Sequence, residues 1–224
     1  MKQQTKKYLL LAVLFFMPVL ALLFFLKAQY NFKPVDRFEY RLLELPKNDK
    51  DYTLEDKITI VAFLGNDILN NKNIFFNLNQ KINKRFEVYK HLRLLVVTLD
   101  TNKKDIESVM AELQQTADAN IEKWNILYLS EANYRNYYDR IGLIAKLDEK
   151  LNAEDVYLVD QELQIRGRKD DKDNGEMIGF NPNDVSEVNK LKDDVKMLLK
   201  EYSIHNNENK ANRKKSNINL ENEE

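Results

Sequence analysis

Three short apolar runs, separated by segments of helical periodicity, constrain this chain more than anything else in it. Ile58 to Leu64 reads ITIVAFL, Leu92 to Leu99 reads LRLLVVTL, and Trp124 to Leu129 reads WNILYL. The first, rich in β-branched residues and bounded by charge and by Gly-Asn-Asp, has the signature of a strand buried on both faces; the second reads as another buried strand and the third as a strand. Between the first two, Ile74, Phe75, Leu78, Ile82 and Phe86 recur at helical spacing, which predicts a helix from about Leu69 to Phe86. Between the second and third, Ile106, Val109, Met110 and Leu113 do the same, with Asp100 or Thr101 placed to cap the helix. After the third, Ser130 is an N-cap for a short helix holding Tyr134, Tyr137, Tyr138 and Ile141. Strands that alternate with helices pair in parallel through crossover connections.

The C-terminal part reads differently. Val156–Val159 and Leu163–Ile165 flank Asp160-Gln161-Glu162, which predicts a hairpin, and a charged loop follows from Arg168 to Gly175. Asp184 opens a last helix, Glu187 completes a capping-box pattern, and Val188, Leu191, Val195, Leu198 and Leu199 form its apolar stripe. Near the start, Phe38 to Leu45 alternates loosely as a first strand, and Asn48-Asp49-Lys50-Asp51 reads as a turn. The order β-α-β-α-β-α-β-β-α implies an α/β, thioredoxin-like three-layer fold with a central mixed sheet. We expect that domain over residues 40–202, after a spacer over 29–39. The polar tail over 203–224, repetitive in Asn, Lys and Glu, is expected to be disordered.

One transmembrane helix is expected ahead of the domain, in residues 1–28. Lys2, Lys6 and Lys7 precede an apolar run from Tyr8 to Leu26, and Lys27 ends it. About 19 helical residues span roughly 28 Å, close to the thickness of a bilayer's hydrocarbon layer. A cleaved signal peptide has a shorter apolar core and a small-residue cleavage box, and Leu26-Lys27-Ala28 makes a poor one. The basic N-terminus places itself in the cytoplasm, so the domain is expected on the extracytoplasmic side of the cytoplasmic membrane.

Composition then removes chemistry. The chain has no cysteine, and its two histidines are His91 and His205. Disulfides, thiolate nucleophiles, iron–sulfur clusters and thiolate metal sites are therefore excluded. Neither histidine has a triad or metal partner near it in sequence. A net charge of −1, with helices of mixed charge, argues against nucleic acid. No Walker loop, Rossmann fingerprint or zinc motif is present, and no cofactor is expected.

Three stretches resemble the Sco/SenC family of thioredoxin-fold proteins. Ile58–Leu64 with Gly65-Asn66-Asp67 resembles the family's first core strand and the loop after it. Leu94–Asp100 resembles the strand after the first helix. Asp155–Gly167 followed by Val185–Leu199 resembles the family's ending of strand, turn, strand and terminal helix. The resemblance covers roughly residues 40–202 and includes the single N-terminal anchor. It implies copper delivery to respiratory oxidase and thiol redox work, carried by a Cys-x-x-x-Cys pair after the first core strand and a histidine before the hairpin. This chain departs from that pattern: the loop reads Asn66-Asp67-Ile68-Leu69-Asn70-Asn71-Lys72, and Asn152 stands near the histidine's place. Cu(I) prefers soft sulfur ligands, and thiol exchange needs a thiolate. The degenerate positions Asn66, Asp67, Asn71 and Asn152 are therefore expected to carry neither activity. The implied role is a non-catalytic binding or assembly module whose partner is an envelope or respiratory protein. The alternative is an enzyme using carboxylates, Asp67 and Asp100, at the C-terminal ends of the strands, which requires a pocket lined by both.

Other candidates read as structural. Gly65-Asn66-Asp67 sits at a strand-to-helix turn, where α/β proteins place ligands, but also where Asn or Asp caps a helix. Asp170, Asp171, Asp173, Gly175 and Glu176 do not fit the spacing of a calcium loop and read as a solvated acidic loop. Arg166 and Arg168 read as surface residues beside it, in pairs worth little. Tyr134, Tyr137 and Tyr138 read as core, each hydroxyl needing a partner.

Overall fold

The computed structural model describes residues 2–29, 35–45, 53–117 and 120–221, with backbone alone at residues 2–5, 9, 24–29 and 204–221. Two units result, Met1–Pro34 and Val35–Glu224. The first is helix α1 (Lys2–Gln29), with Pro18 inside it. Its segment Lys6–Leu23 is long and apolar enough to cross a membrane. Leu14 and Phe15 stand exposed on it, and a helix apolar all round has no face suited to water.

The second unit is built on one mixed sheet. Its strands are β1 (Asp36–Arg41), β2 (Ile58–Leu64), β3 (Leu92–Leu99), β4 (Trp124–Leu129), β5 (Val156–Val159), β6 (Gln164–Asp171) and β7 (Gly175–Met177). The order is β1-β6-β5-β2-β3-β4, with β7 paired to β6. Strands β2, β3 and β4 run parallel, while β2–β5, β5–β6 and β1–β6 are antiparallel. The three apolar runs thus form adjacent parallel strands, and the hairpin adds the antiparallel half.

All seven residues of β2 are buried, because helices cover both faces of the sheet. Ile58, Ile60, Ala62 and Leu64 point to one side, against α2 (Lys72–Leu78), α3 (Lys103–Ala117) and α5 (Val185–Glu221). Val61 and Phe63 point to the other, against α4 (Glu131–Ile141) and the segments carrying Leu42, Leu54 and Leu151. Phe63 lies edge-on to Tyr138 at 5.0 Å between ring centres. The tyrosines are core residues with satisfied hydroxyls: Tyr134 donates to Leu151 O at 2.8 Å, Tyr137 to Leu43 O at 2.7 Å and Tyr138 to Ala145 O at 3.0 Å.

Several boundaries differ from the sequence reading. Strand β1 starts at Asp36, inside the expected spacer, because buried Val35 and Phe38 draw it onto the sheet. The turn expected at Asn48–Asp51 lies outside the described residues. Helix α2 starts at Lys72 rather than Leu69: Asp67 holds φ +71°, residues 68–71 form a turn, and Leu69 is exposed. After Leu78 the chain widens into a π-helical turn, Asn79–Asn83, where Asn83 Nδ2 donates to Asn79 Oδ1 and to Asn120 O. The expected charged loop is mostly strand, since β6 continues to Asp171 and turns back into β7.

Asp184 caps α5 as expected, accepting from Ser186 N at 2.7 Å and Glu187 N at 3.0 Å. Glu187 does not complete the box: its carboxylate accepts instead from Asn181 N and Asn174 Nδ2. The helix continues to Glu221, through the tail expected to be disordered. A helix already nucleated by a packed stripe extends at one hydrogen bond per residue, without an apolar face of its own.

Arg166 is the largest departure from the surface reading. Its side chain is 1% exposed and pairs with Asp160, 0% exposed, at 3.0 Å. It also donates to Val35 O at 3.2 Å and to Glu201 at 2.7 Å, joining β6 to the chain before β1 and to α5. Asp160 meanwhile accepts from Glu162 N and Gln164 N, which shapes the hairpin turn. Arg168 forms a second such link, through Asp194 on α5 at 2.7 Å and Asp171 at 3.1 Å.

Candidate functional site

The sequence-predicted positions meet at the C-terminal end of β2. Gly65 O accepts from buried Asn102 Nδ2 and, at 3.4 Å, from Thr98 Oγ1, while Asn102 also donates to Thr98 Oγ1 at 2.9 Å. Asn102 comes from the 3-10 turn after β3, so the parallel register of β2 and β3 brings it under the loop.

From the other side, residues 150–153 close over the loop. Asn66 N donates to Lys150 O at 2.7 Å and Ala153 N to Phe63 O at 2.9 Å. Gly65 is required here: a Cβ would stand 2.4 Å from Leu151 Cβ and 2.5 Å from Lys150 O. Asp148 holds the covering segment, accepting from Lys150 N and from both Asn152 N and Nδ2. Asn152 is buried, and its Oδ1 has no partner among the described residues.

Asp67 is engaged by three side chains or their neighbours. Lys150 Nζ donates to its Oδ2, Asn70 Nδ2 to its Oδ1 at 2.5 Å, and Asn71 Nδ2 to its backbone carbonyl at 3.0 Å. The Lys150 ammonium holds the Asp67 carboxyl below the usual carboxylate range, and Asp67 in turn raises Lys150. An acid held ionised in this way is a poor proton donor and a weakened base at neutral pH.

The structure places Asn66, Asp67 and Asn71 in the loop after β2, and Asn152 in the segment that closes over that loop. Sequence reading missed Lys150, Asp148, Asn102 and Thr98. The one available signal was the Asp148-x-Lys150-x-Asn152 spacing of a side-chain-capped turn. The donor set does not fit copper: it offers amides, one ion-paired carboxylate and no sulfur or imidazole. Among the described residues, no group of three or more His, Cys, Asp or Glu could hold a metal ion.

Asp100 lies exposed at the start of the 3-10 turn. A cavity of about 370 Å³ is lined by neither Asp67 nor Asp100, so the pocket that the enzyme reading required is not formed by these two acids there. The acidic turn is structural: Asp171 accepts from Asp173 N and Asn174 N, and pairs with Lys190 at 2.5 Å and Arg168. His91 is exposed, and its backbone carbonyl accepts from Ile58 N at 2.9 Å. The His205 side chain lies outside the described residues.

No family model matches the sequence, and neither does any curated protein. The fold matches solved structures. A Sco-family cytochrome c oxidase assembly protein with a disulfide switch superposes with a TM-score of 0.51 at 11% identity, over 74% of this chain and 97% of that one. A SCO1/SenC family lipoprotein from Bacillus anthracis superposes with a TM-score of 0.52 at 14% identity, over 74% and 99%. Both matches span nearly the whole of the other protein. The chain has the thioredoxin-like fold found in Sco/SenC family proteins, carried without cysteine.

Proposed function

We propose that this chain is a membrane-anchored, extracytoplasmic thioredoxin-like domain that works without thiol or copper chemistry, as a binding or assembly module for another envelope protein. One observation carries the reading. The loop after β2 is built from amides and an ion pair, and backbone hydrogen bonds from residues 150–153 close it. It supplies no soft ligand and no thiolate, yet it presents exposed Asn66, Asn70 and Leu69 on a well-held frame. The apolar segment Lys6–Leu23 supports membrane attachment. Likeness of fold to a cytochrome c oxidase assembly protein makes respiratory-oxidase assembly the first setting to test.

The test is affinity purification of the full chain from cross-linked native membranes, with and without N66A and L69A together. The reading expects a reproducible membrane-protein partner that the double variant loses, and respiratory-oxidase subunits would place the chain in that assembly. Capture of no reproducible partner, or of a partner indifferent to the loop, contradicts it.

A further inference from the structure

The segment that leads from the π-helical turn into β3 concentrates charge of one sign. Residues 81–93 hold Lys81, Lys84, Arg85, Lys90 and Arg93 against a single acid, Glu87, in a chain whose net charge is −1. Elsewhere in the domain Arg37, Lys72, Arg135, Lys150, Arg166 and Arg168 each hold a carboxylate. The side chains of Lys81, Lys84, Arg85 and Lys90 have no hydrogen-bond or ion-pair partner among the described residues. Arg93 donates to the backbone carbonyls of Lys90 and Leu92, at 2.6 and 2.9 Å. Ile58 N donates to His91 O at 2.9 Å, which brings Glu55, Asp56 and Lys57 to the same end, and Glu122 lies next to Lys123. Cations still outnumber acids there.

An apolar tip projects from among these cations. Val88 is 82% exposed and Tyr89 43%, between Arg85 and Lys90. The turn beneath them is firmly held. Phe86 is buried, Tyr89 N donates to Phe86 O at 3.0 Å, and Leu92 N donates to Tyr89 O at 3.2 Å. The Tyr89 ring lies edge-on to Phe86 at 6.1 Å, and buried Lys123 donates to Phe86 O at 2.6 Å. One exposed valine is ordinary. A valine and a tyrosine ringed by unpaired cations have the chemistry of a segment that enters a lipid headgroup layer, where apolar groups reach the acyl boundary and cations meet phosphates. An acidic protein surface would pair the cations but set Val88 against carboxylates, which favours lipid.

We propose that residues 81–93 form a docking surface for anionic phospholipid headgroups, with Val88 and Tyr89 entering the interface and Lys84, Arg85 and Lys90 meeting the phosphates. The surface uses none of the residues of the loop after β2 and stands whether or not that loop meets a partner.

The chain has no cysteine, so V88C supplies one reactive thiol for an environment-sensitive fluorophore. The labelled full chain is reconstituted with phosphatidylcholine vesicles, with and without phosphatidylglycerol. A blue shift, and quenching by nitroxide-bearing lipid, are expected only with phosphatidylglycerol. Docking should weaken roughly fivefold for each cation removed in K84Q, R85Q and K90Q, and should fade at high salt. The same label at I144C, exposed outside the segment, should stay in water. Slowed amide exchange over residues 84–91 of the unlabelled chain gives the same result without a substitution. Flotation with neutral vesicles reads attachment through α1 separately. A label at residue 88 that stays in water on anionic vesicles, an equal shift in neutral ones, or docking unchanged in the three variants would overturn the proposal. A shift on polyglutamate with none on anionic vesicles would overturn it in favour of an acidic protein partner.

Discussion

Lys150 donates its ammonium to the carboxylate of Asp67, while the Lys150 carbonyl accepts from Asn66 N at 2.7 Å. One residue thus ties the covering segment to the loop after β2 through both its side chain and its backbone. The first prediction follows from the side-chain contact. In a carboxyl-detected NMR titration, Asp67 should titrate below its ordinary value of 3.8, and K150M should move it back upward. An Asp67 that titrates identically in both proteins contradicts the ion pair.

The backbone contact leads to a second prediction. G65A forces a methyl against Leu151 Cβ at 2.4 Å and two backbone carbonyls. Overpacking against atoms that cannot rotate away costs about 1–3 kcal/mol, and G65A should lie at the upper end in urea unfolding. A loss under about 0.5 kcal/mol, the range of ordinary surface substitutions, would show that residues 150–153 are not clamped over the loop.

The pair Arg166–Asp160 should be among the most sensitive in the domain. R166M leaves Asp160, 0% exposed, without its cation, a change that typically costs about 3–5 kcal/mol. D160N should be milder, because its remaining amide oxygen still accepts from Glu162 N and Gln164 N, and Arg166 keeps Glu201. Equal losses in the two variants, measured by the same urea unfolding, would refute this ordering.

Asp155 predicts a pH dependence. Burial, then Glu187 and Glu154, push its carboxyl from 3.8 up to about 6. The folded state therefore holds a proton that the unfolded chain has released, so this group's stabilisation is present below about pH 4 and lost as pH rises to about 6. Two units correspond to about 3 kcal/mol unscreened, and solvent screening of a half-exposed group reduces this to about 1–2 kcal/mol. D155N should be more stable than the parent at pH 7 by that amount and should lack that fall between pH 4 and 6. Parallel stability curves for the two proteins would sink this assignment.

Much of the sheet was legible in sequence, because a strand buried on both faces needs an apolar run, and β2 and β3 supply it, while β4, half-buried at the sheet edge, shows a shorter one. The hairpin was legible through Asp160, whose turn chemistry is local. The start of α2 was not, since Leu69 continues the apolar pattern and only the positive φ of Asp67 excludes it from the helix. Nor was the burial of Arg166: charge reads as surface until three separated chain segments supply its partners. The degenerate loop could be located because the resemblance fixed its place after β2. The acids of the cavity come from 154–155, 176 and 187, and only the fold brings them together.

The loop after β2 offers amides and an ion pair where copper binding needs soft ligands. A competitive titration of the full chain with Cu(I) against a chromophoric chelator tests this most directly. The account predicts no stoichiometric complex tighter than micromolar, and no change in N66A or N152A. A one-to-one complex of sub-micromolar affinity that either substitution weakens would contradict it.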